Sequence, residues 1–104
     1  MIVHIQPDGT LALLRTEDLG RFHVEVDASA DRLEAIRPAI AGTVDFEGPE
    51  VAWVTLAYLH DQPAFASSPD RARLDAMVAK AAPHGWVNTA GTALRAHVVW
   101  QPSG

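Results

Sequence analysis

The chain has 104 residues, carries a formal net charge of −5 and contains no cysteine. This length predicts a single domain over residues 1–104, and the lack of cysteine excludes disulfides, thiol catalysis and cysteine-based zinc sites. Residues 1–50 have a net charge of −6; this argues against nucleic-acid binding, which requires clustered basic residues, and is compatible with a basic partner.

The N-terminal segment predicts a β-hairpin. Strands at about 2–6 and 11–15, containing IVHI and LALLR, flank the segment QPDGT. Pro7 presets the backbone for the second position of a turn, Asp8 suits the third, and Gly9 accepts a positive φ. We therefore expect a type I turn closed by a glycine bulge, with the two strands antiparallel.

A third strand is predicted over residues 21–27, RFHVEVD, because apolar and polar residues alternate there. Successive side chains of a strand point to opposite faces of the sheet. One face is therefore expected to carry Phe22, Val24 and Val26. The other is expected to carry Arg21, His23, Glu25 and Asp27.

The segment ASADRLEAIRPAIAG, residues 28–42, predicts the first helix. Ser29 suits the N-cap position. The apolar stripe consists of Leu33, Ile36 and Ile40. Because Pro38 cannot donate a hydrogen bond to the carbonyl of Glu34, we expect the helix to bend or end near Arg37.

Residues 51–60, VAWVTLAYLH, follow a short strand candidate at 43–47 and predict a strand that is apolar on both faces. Such a strand is expected to be covered on both faces. The two helices cover only one face of the sheet. We therefore expect a second copy of the chain to cover the other face, in a homodimer. Alternatively, Trp53 and Leu59 pack on the N-terminal hairpin and no dimer is needed. The stretch is too short to cross a bilayer as a helix, and no signal peptide is evident, which favours a soluble cytoplasmic protein.

The second helix is predicted to begin with Ser68 as N-cap and Pro69 as its first residue, and to end at Pro83. Its apolar stripe consists of Leu74, Met77, Val78 and Ala81. Residues 85–92 predict a short strand and turn or an irregular loop, and ALRAHVVWQ at 93–101 predicts the last strand. One face of that strand carries Leu94, Ala96, Val98 and Trp100, and the other carries Arg95, His97, Val99 and Gln101.

The predicted order of elements is β-β-β-α-β-β-α-β, which indicates the α+β class. We expect a mixed, mainly antiparallel sheet of five to six strands with two helices on one face. The best match is a ferredoxin-like core with an added N-terminal hairpin. The three tryptophans are interpreted as core residues, and no phosphate-loop or dinucleotide fingerprint is present.

The candidate functional residues lie on polar positions of the predicted sheet. His23, Glu25 and His97 are candidate catalytic residues, because a His–Glu pair can move a proton. Candidate ligand-binding residues are Arg95, which could hold an anion, and Trp53, Tyr58 and His60. Whether these residues and His4 lie close together depends on the order of the strands. If the strands that carry them are parallel or not adjacent, we expect the residues to be separated. A metal held by two histidines and a carboxylate is a less favoured alternative, and a solvated sheet face is the simplest interpretation.

Two hypotheses for the function stay open. The favoured one is a small binding or interaction protein, homodimeric, whose acidic N-terminal half contacts a protein partner. The alternative is a small enzyme or small-molecule binder that uses the open sheet face. Neither nucleic acid nor a membrane is an expected partner, and neither a cofactor nor a metal is assigned.

Overall fold

A six-stranded mixed sheet forms the framework of the protein, seen in a computed structural model that describes residues 1–103. The strands are β1 (Ile2–Ile5), β2 (Leu11–Leu14), β3 (His23–Val26), β4 (Val44–Phe46), β5 (Val51–Thr55) and β6 (Ala93–Trp100). The helices are α1 (Leu33–Ile40), α2 (Leu56–His60) and α3 (Ser68–Ala81). The strand order is β2-β1-β3-β6-β5-β4. The pairs β1–β3 and β3–β6 are parallel, and the other three are antiparallel.

The predicted α+β class is confirmed, with six strands and two longer helices, α1 and α3. The ferredoxin-like order is not confirmed. In that arrangement each βαβ unit has one strand inserted between its two parallel strands. Here β5 and β6 are adjacent and antiparallel, and two strands separate β3 from β4. The reason is that β1 and β6 occupy the two edges of β3, which leaves no edge of β3 free for β5.

The predicted hairpin is confirmed as β1 and β2. Gly9 has a φ of +89°, and its amide donates a 2.9 Å hydrogen bond to the carbonyl of Gln6. The side chain of Asp8 accepts a 2.9 Å hydrogen bond from the amide of Thr10. A Cβ atom at Gly9 would lie 2.5 Å from the Cβ of Ala39. The turn therefore packs directly on α1, and only glycine fits there without a shift.

One apolar core lies between the helices and one face of the sheet. The strands contribute alternate residues to it: Val3, Ile5, Val24, Val26, Val44, Phe46, Ala52, Val54, Leu94, Ala96 and Val98. The helices contribute Leu33, Ile36, Ile40, Leu59, Leu74 and Ala81. Among residues 1–103 every buried side chain is apolar. The opposite sheet face, which we call the open face, therefore carries the polar residues of β3 and β6, as their alternation predicts.

The predicted strand over 51–60 is wrong in its second half, because the strand ends at Thr55 and residues 56–60 form α2. Thr55 pairs with Ala93, the first residue of β6, so the chain beyond Thr55 has no β6 residue to pair with. The helix instead buries Leu59 completely in the core. The argument that the whole segment needs a cover on both faces therefore fails for residues 56–60, and with it part of the reason for expecting a dimer.

The helix boundaries differ from the prediction in two places. α1 does not end near Arg37, one of the two outcomes expected there, and continues through Pro38 to Ile40. The proline removes only the hydrogen bond to Glu34, and the burial of the apolar stripe outweighs that loss. The N-cap of α3 is Ser67, whose Oγ accepts a hydrogen bond from the amide of Asp70, and not Ser68 as predicted.

No helix within residues 1–103 has both the length and the apolar character that a membrane span requires.

Candidate functional site

Three of the predicted site residues lie together on the open face. His23 on β3 is the direct neighbour of His97 on β6. His23 Nε2 lies 3.6 Å from Glu25 Oε2, and each of these side chains is 29% exposed. We expected parallel strands to separate these residues. That expectation is wrong, because adjacent parallel strands in this register still place His23 beside His97.

Further polar residues extend this row in both directions. His4 on β1 is paired with Glu25, on the side away from β6. Arg95 on β6 is paired with Trp53 on β5. The indole of Trp53 donates a 3.2 Å hydrogen bond to Glu47, so this tryptophan is half-buried on the open face and not in the core. The open face thus brings together five of the seven predicted residues, since it also holds His23 and His97.

The remaining two predicted residues, Tyr58 and His60, lie on α2. His60 Nε2 lies 3.4 Å from Asp75 Oδ1, and its carbonyl accepts a 2.9 Å hydrogen bond from Arg71 Nη2. Partial burial raises the pKa of Tyr58 above its ordinary value. Because Asp75 and Arg71 belong to α3, His60 ties α2 to α3 and is not brought into the row on the open face.

The described residues include no metal-binding cluster. Within residues 1–103, no group of three or more histidine, cysteine, aspartate or glutamate side chains could hold a metal ion. His23 and Glu25 form a pair, and no third ligand joins them.

An open cleft of about 1020 Å³ lies between α3 and β6. Its other walls are the segments 19–22 and 84–86. β3 begins at His23, beside His97, so β6 has no β3 neighbour before that point. Residues 86–88 pair there instead, with the amide of Arg95 donating a 2.7 Å hydrogen bond to the carbonyl of Trp86. The cleft therefore opens beside the first residues of β6, where β3 has not yet begun.

The cleft is rich in positive charge. Of the eight lysines and arginines in the chain, four line it, and only two of the 13 acidic residues do. The cations are Arg21, Arg73, Lys80 and Arg95, and the acids are Glu17 and Glu50. His84 and His97 also border it. This local excess of cations contrasts with the net charge of −5 of the whole chain.

The four cations differ in how far they are already neutralised. Arg73 donates hydrogen bonds of 3.0 Å to Asp70 and 3.1 Å to the carbonyl of Thr16. Arg21 lies 3.9 Å from Asp18 in an exposed pair. Among residues 1–103, neither Lys80 nor Arg95 takes part in an ion pair. These last two cations therefore remain available to an anion in the cleft.

An exposed aromatic residue borders the same cleft. Trp86 is 46% exposed, and its ring stacks on the imidazole of His84 with the centroids 4.4 Å apart and an interplanar angle of 21°. The prediction that Trp86 lies in the core is therefore wrong. Its segment pairs with the first residues of β6, on the side where β3 has not yet begun, and Trp86 borders the cleft there.

Sequence reasoning found part of this site and missed part. Arg95 and His97 were candidates and line the cleft. Lys80, His84 and Trp86 were not candidates, because their role depends on how α3 and the following turn lie against β6. One sequence signal was available: a lysine in the last turn of α3 is followed within six residues by His84 and Trp86.

Comparisons with known proteins give no match to this chain, whether with protein-family models, with curated proteins or with solved structures. The function is therefore inferred from the residues and the geometry of the cleft.

Proposed function

We propose that the protein binds a small organic anion in the cleft between α3 and β6. The observation that carries this proposal is the concentration of half of the chain's lysines and arginines around one cleft in a protein of net charge −5. A cleft lined by charge of one sign focuses the electric field and attracts ligands of the opposite sign. An overall acidic surface without such a cleft would repel an anion.

The charge that is not neutralised lies on Lys80 and Arg95. Their side chains approach the cleft from opposite walls, α3 and β6. Like charges that share a cleft repel each other, and a bound carboxylate or phosphate removes that repulsion. An arginine offers a planar fork of donors to such a group, and a lysine offers a compact charge.

The apolar part of the lining supports an organic ligand over a free inorganic ion. Phe22, Met77 and Leu94 line the cleft beside the cations. Ligand sites typically combine a largely apolar wall with a few charged groups that orient the ligand. The volume of about 1020 Å³ lies at the upper end of the range for small-molecule sites, roughly 300–1,000 Å³.

The proposal also has a catalytic form, in which the protein carries out acid–base chemistry on the bound anion. His97 borders the cleft, and the pair of His23 and Glu25 lies beside it on the same open face. The catalytic set expected from the sequence would then act through His97, the member that reaches the ligand. A binding-only protein would not need this arrangement, so turnover of a bound ligand that is lost in His97→Gln would support the catalytic form.

Calorimetric titration tests the binding proposal. Probes are small aliphatic and aromatic carboxylates and phosphate monoesters at low ionic strength. We expect Lys80→Gln and Arg95→Gln each to weaken binding by about tenfold, since a hydrogen bond to a charged group contributes about 1.5–3 kcal/mol. Arg32→Gln is the matched control, because Arg32 is exposed and lies outside the cleft. Equal affinities for the cleft variants, the control and the unmodified protein would contradict the proposal.

Self-association is the second candidate, and the edge strand β2 favours it. β2 pairs only with β1, and its sequence, LALL, contains no charge, proline or bulge. Leu14 on this strand is 44% exposed. The opposite edge, β4, has only three residues and carries the exposed Asp45. Natural sheets protect their edges with charge or short strands, so β2 is the edge that is open to pairing.

The occupant we propose for this edge is β2 of a second copy of the chain. An uncharged strand can pair with itself without like-charge repulsion, and such pairing would cover Leu14. Sedimentation analysis is expected to find a dimer for the unmodified protein, a monomer for Leu14→Lys and a dimer for the control Leu14→Ile. A monomer at all concentrations for the unmodified protein would contradict this candidate and leave the anion proposal unaffected.

A further inference from the structure

We infer that the anion held in the cleft carries a planar aromatic ring that stacks on Trp86. This inference rests on the proposed anion site and names the class of ligand it takes: an aromatic carboxylate or an aromatic phosphate monoester. Trp86 is the one large aromatic side chain among residues 1–103 that is strongly exposed.

One face of the indole stacks on a histidine ring. The imidazole of His84 stacks on Trp86 at 4.4 Å, and the side chain nevertheless remains 46% exposed. Nearly half of the side-chain surface is therefore left for a second stacking partner. Both rings border the cleft, so they form a flat stacked platform at its wall.

The backbone that carries Trp86 is fixed in place by hydrogen bonds. The amide of Trp86 donates a 3.3 Å hydrogen bond to the carbonyl of Ala81, at the end of α3. Its carbonyl accepts the 2.7 Å hydrogen bond from the amide of Arg95 on β6. Further along, the side chain of Asn88 accepts a 3.0 Å hydrogen bond from the amide of Ala93. Because this backbone is already ordered, only the side-chain torsions of Trp86 lose freedom when a ligand stacks on the ring.

The main-chain hydrogen bond between Trp86 and Arg95 also brings the residue with the ring next to a residue with a positive charge. Trp86 thereby lies opposite Arg95 of β6, an arginine without a carboxylate partner, and both residues line the cleft. One small molecule can therefore stack its ring on Trp86 and present its anionic group to Arg95. An aliphatic anion would use the charge and leave the flat indole surface exposed to water.

The other two tryptophans have partners already. Trp53 donates to Glu47 over 3.2 Å. Trp100 stacks on Phe46 with centroids 5.5 Å apart and donates a 2.6 Å hydrogen bond to the carbonyl of Pro49. Among residues 1–103, the indole nitrogen of Trp86 has no such hydrogen bond. Trp86 is thus the tryptophan whose exposed ring is not explained by the packing of the fold.

The test compares ligands that differ only in aromaticity. Calorimetry measures benzoate against cyclohexanecarboxylate, and phenyl phosphate against cyclohexyl phosphate. Each pair matches in charge and closely in size, and the two pairs distinguish a carboxylate site from a phosphate site. We expect the aromatic member to bind about fivefold more tightly, as the extra attraction between stacked rings implies. Trp86→Leu should abolish that preference, Trp86→Phe should keep part of it, and Trp100→Phe should leave it unchanged, because Trp100 lies outside the cleft.

The outcomes separate this inference from the proposal it rests on. If aromatic and cyclohexyl anions bind equally and Trp86→Leu changes neither, the aromatic inference is wrong while the anion site stands. If none of the four probes binds and the Lys80 and Arg95 variants behave as the unmodified protein, the anion site is wrong and the inference falls with it. An aromatic preference that persists in Trp86→Leu would also overturn the inference.

Discussion

His97 and His23 are direct neighbours across β6 and β3, but only His97 also lines the cleft. His97 is thus the residue of the open face at which the proposed ligand site begins. His84 also lines the cleft, whereas His4 and His60 lie on β1 and α2. The five histidines of the chain are therefore reporters at different distances from the proposed ligand.

Histidine ring signals in NMR should follow this geometry. On adding benzoate or phenyl phosphate we expect large chemical-shift changes at His84 and His97, smaller ones at His23, and none at His4 and His60. The assignment follows from single histidine-to-glutamine variants. Shifts that are largest at His4 would place the ligand on the far side of the open face and contradict the cleft as the binding site.

Gly9→Ala should destabilise the protein by about 2–3 kcal/mol in denaturant unfolding. A non-glycine residue in the left-handed region costs of order 1–3 kcal/mol. The added methyl group would also lie 2.5 Å from the Cβ of Ala39. Gly42→Ala is the control, because Gly42 has a similar φ of +84° but no atom within 4 Å of the position that a Cβ atom would take. We expect the control to lose about 1 kcal/mol; equal losses would argue against the contact with α1.

The N-cap of α3 gives a prediction that separates two adjacent serines. Ser67 Oγ accepts a hydrogen bond from the amide of Asp70 and donates one of 2.8 Å to its carboxylate. Ser67→Ala is expected to lower the free energy of unfolding by about 1 kcal/mol. Ser68→Ala should change it by less than about 0.5 kcal/mol, since Ser68 is an exposed first helical residue. The reverse order would restore Ser68 as the cap, as the sequence alone predicts.

The pKa of Asp27 is lowered by hydrogen bonds from the side chain and the amide of Ser103. These bonds are 2.8 and 2.6 Å long. Since the folded-state pKa is depressed, this contact is fully present at neutral pH and is lost as the pH falls through that lowered pKa. We expect the amide signal of Ser103 to follow this titration in NMR.

Ser103→Ala should raise the pKa of Asp27 part of the way to its ordinary value, because the amide hydrogen bond remains. Asp8 is the internal control: the pKa of its carboxyl is lowered by Thr10 and should not move in this variant. An unchanged pKa of Asp27 would show that Ser103 does not hold this carboxylate in solution.

The elements that were predicted correctly depend on local sequence. The hairpin follows from Pro7, Asp8 and Gly9 between two apolar strands, and the faces of β3 and β6 follow from strict alternation. The end of β5 could not be predicted this way. Thr55 stops the strand because its partner strand begins at Ala93, a residue 38 positions later in the chain. No local pattern carries that information.

The residues of the candidate site also divide into those that local sequence could identify and those that it could not. His23, Glu25, His97 and Arg95 could be selected because their residue types and alternation were visible in the sequence. That Lys80 and Trp86 border the same cleft as Arg95 depends on the packing of α3 against the sheet. The exposed position of Trp86 opposes the general tendency of large apolar residues to be buried, and an exception of this kind is informative once the structure is known.

The position of β6 in the sheet has a consequence for folding. β6 is the last strand of residues 1–103, yet it lies between β3 and β5, so the sheet without it would be two separate pieces, β2-β1-β3 and β5-β4. Closing a sheet with contacts so distant along the chain is slow, because the loop-closure entropy is lost before the pairing stabilises it. Until β6 inserts, the inner edges of β3 and β5 are open to other chains. A nascent or truncated chain that lacks residues 93–100 is therefore expected to aggregate rather than to fold partially.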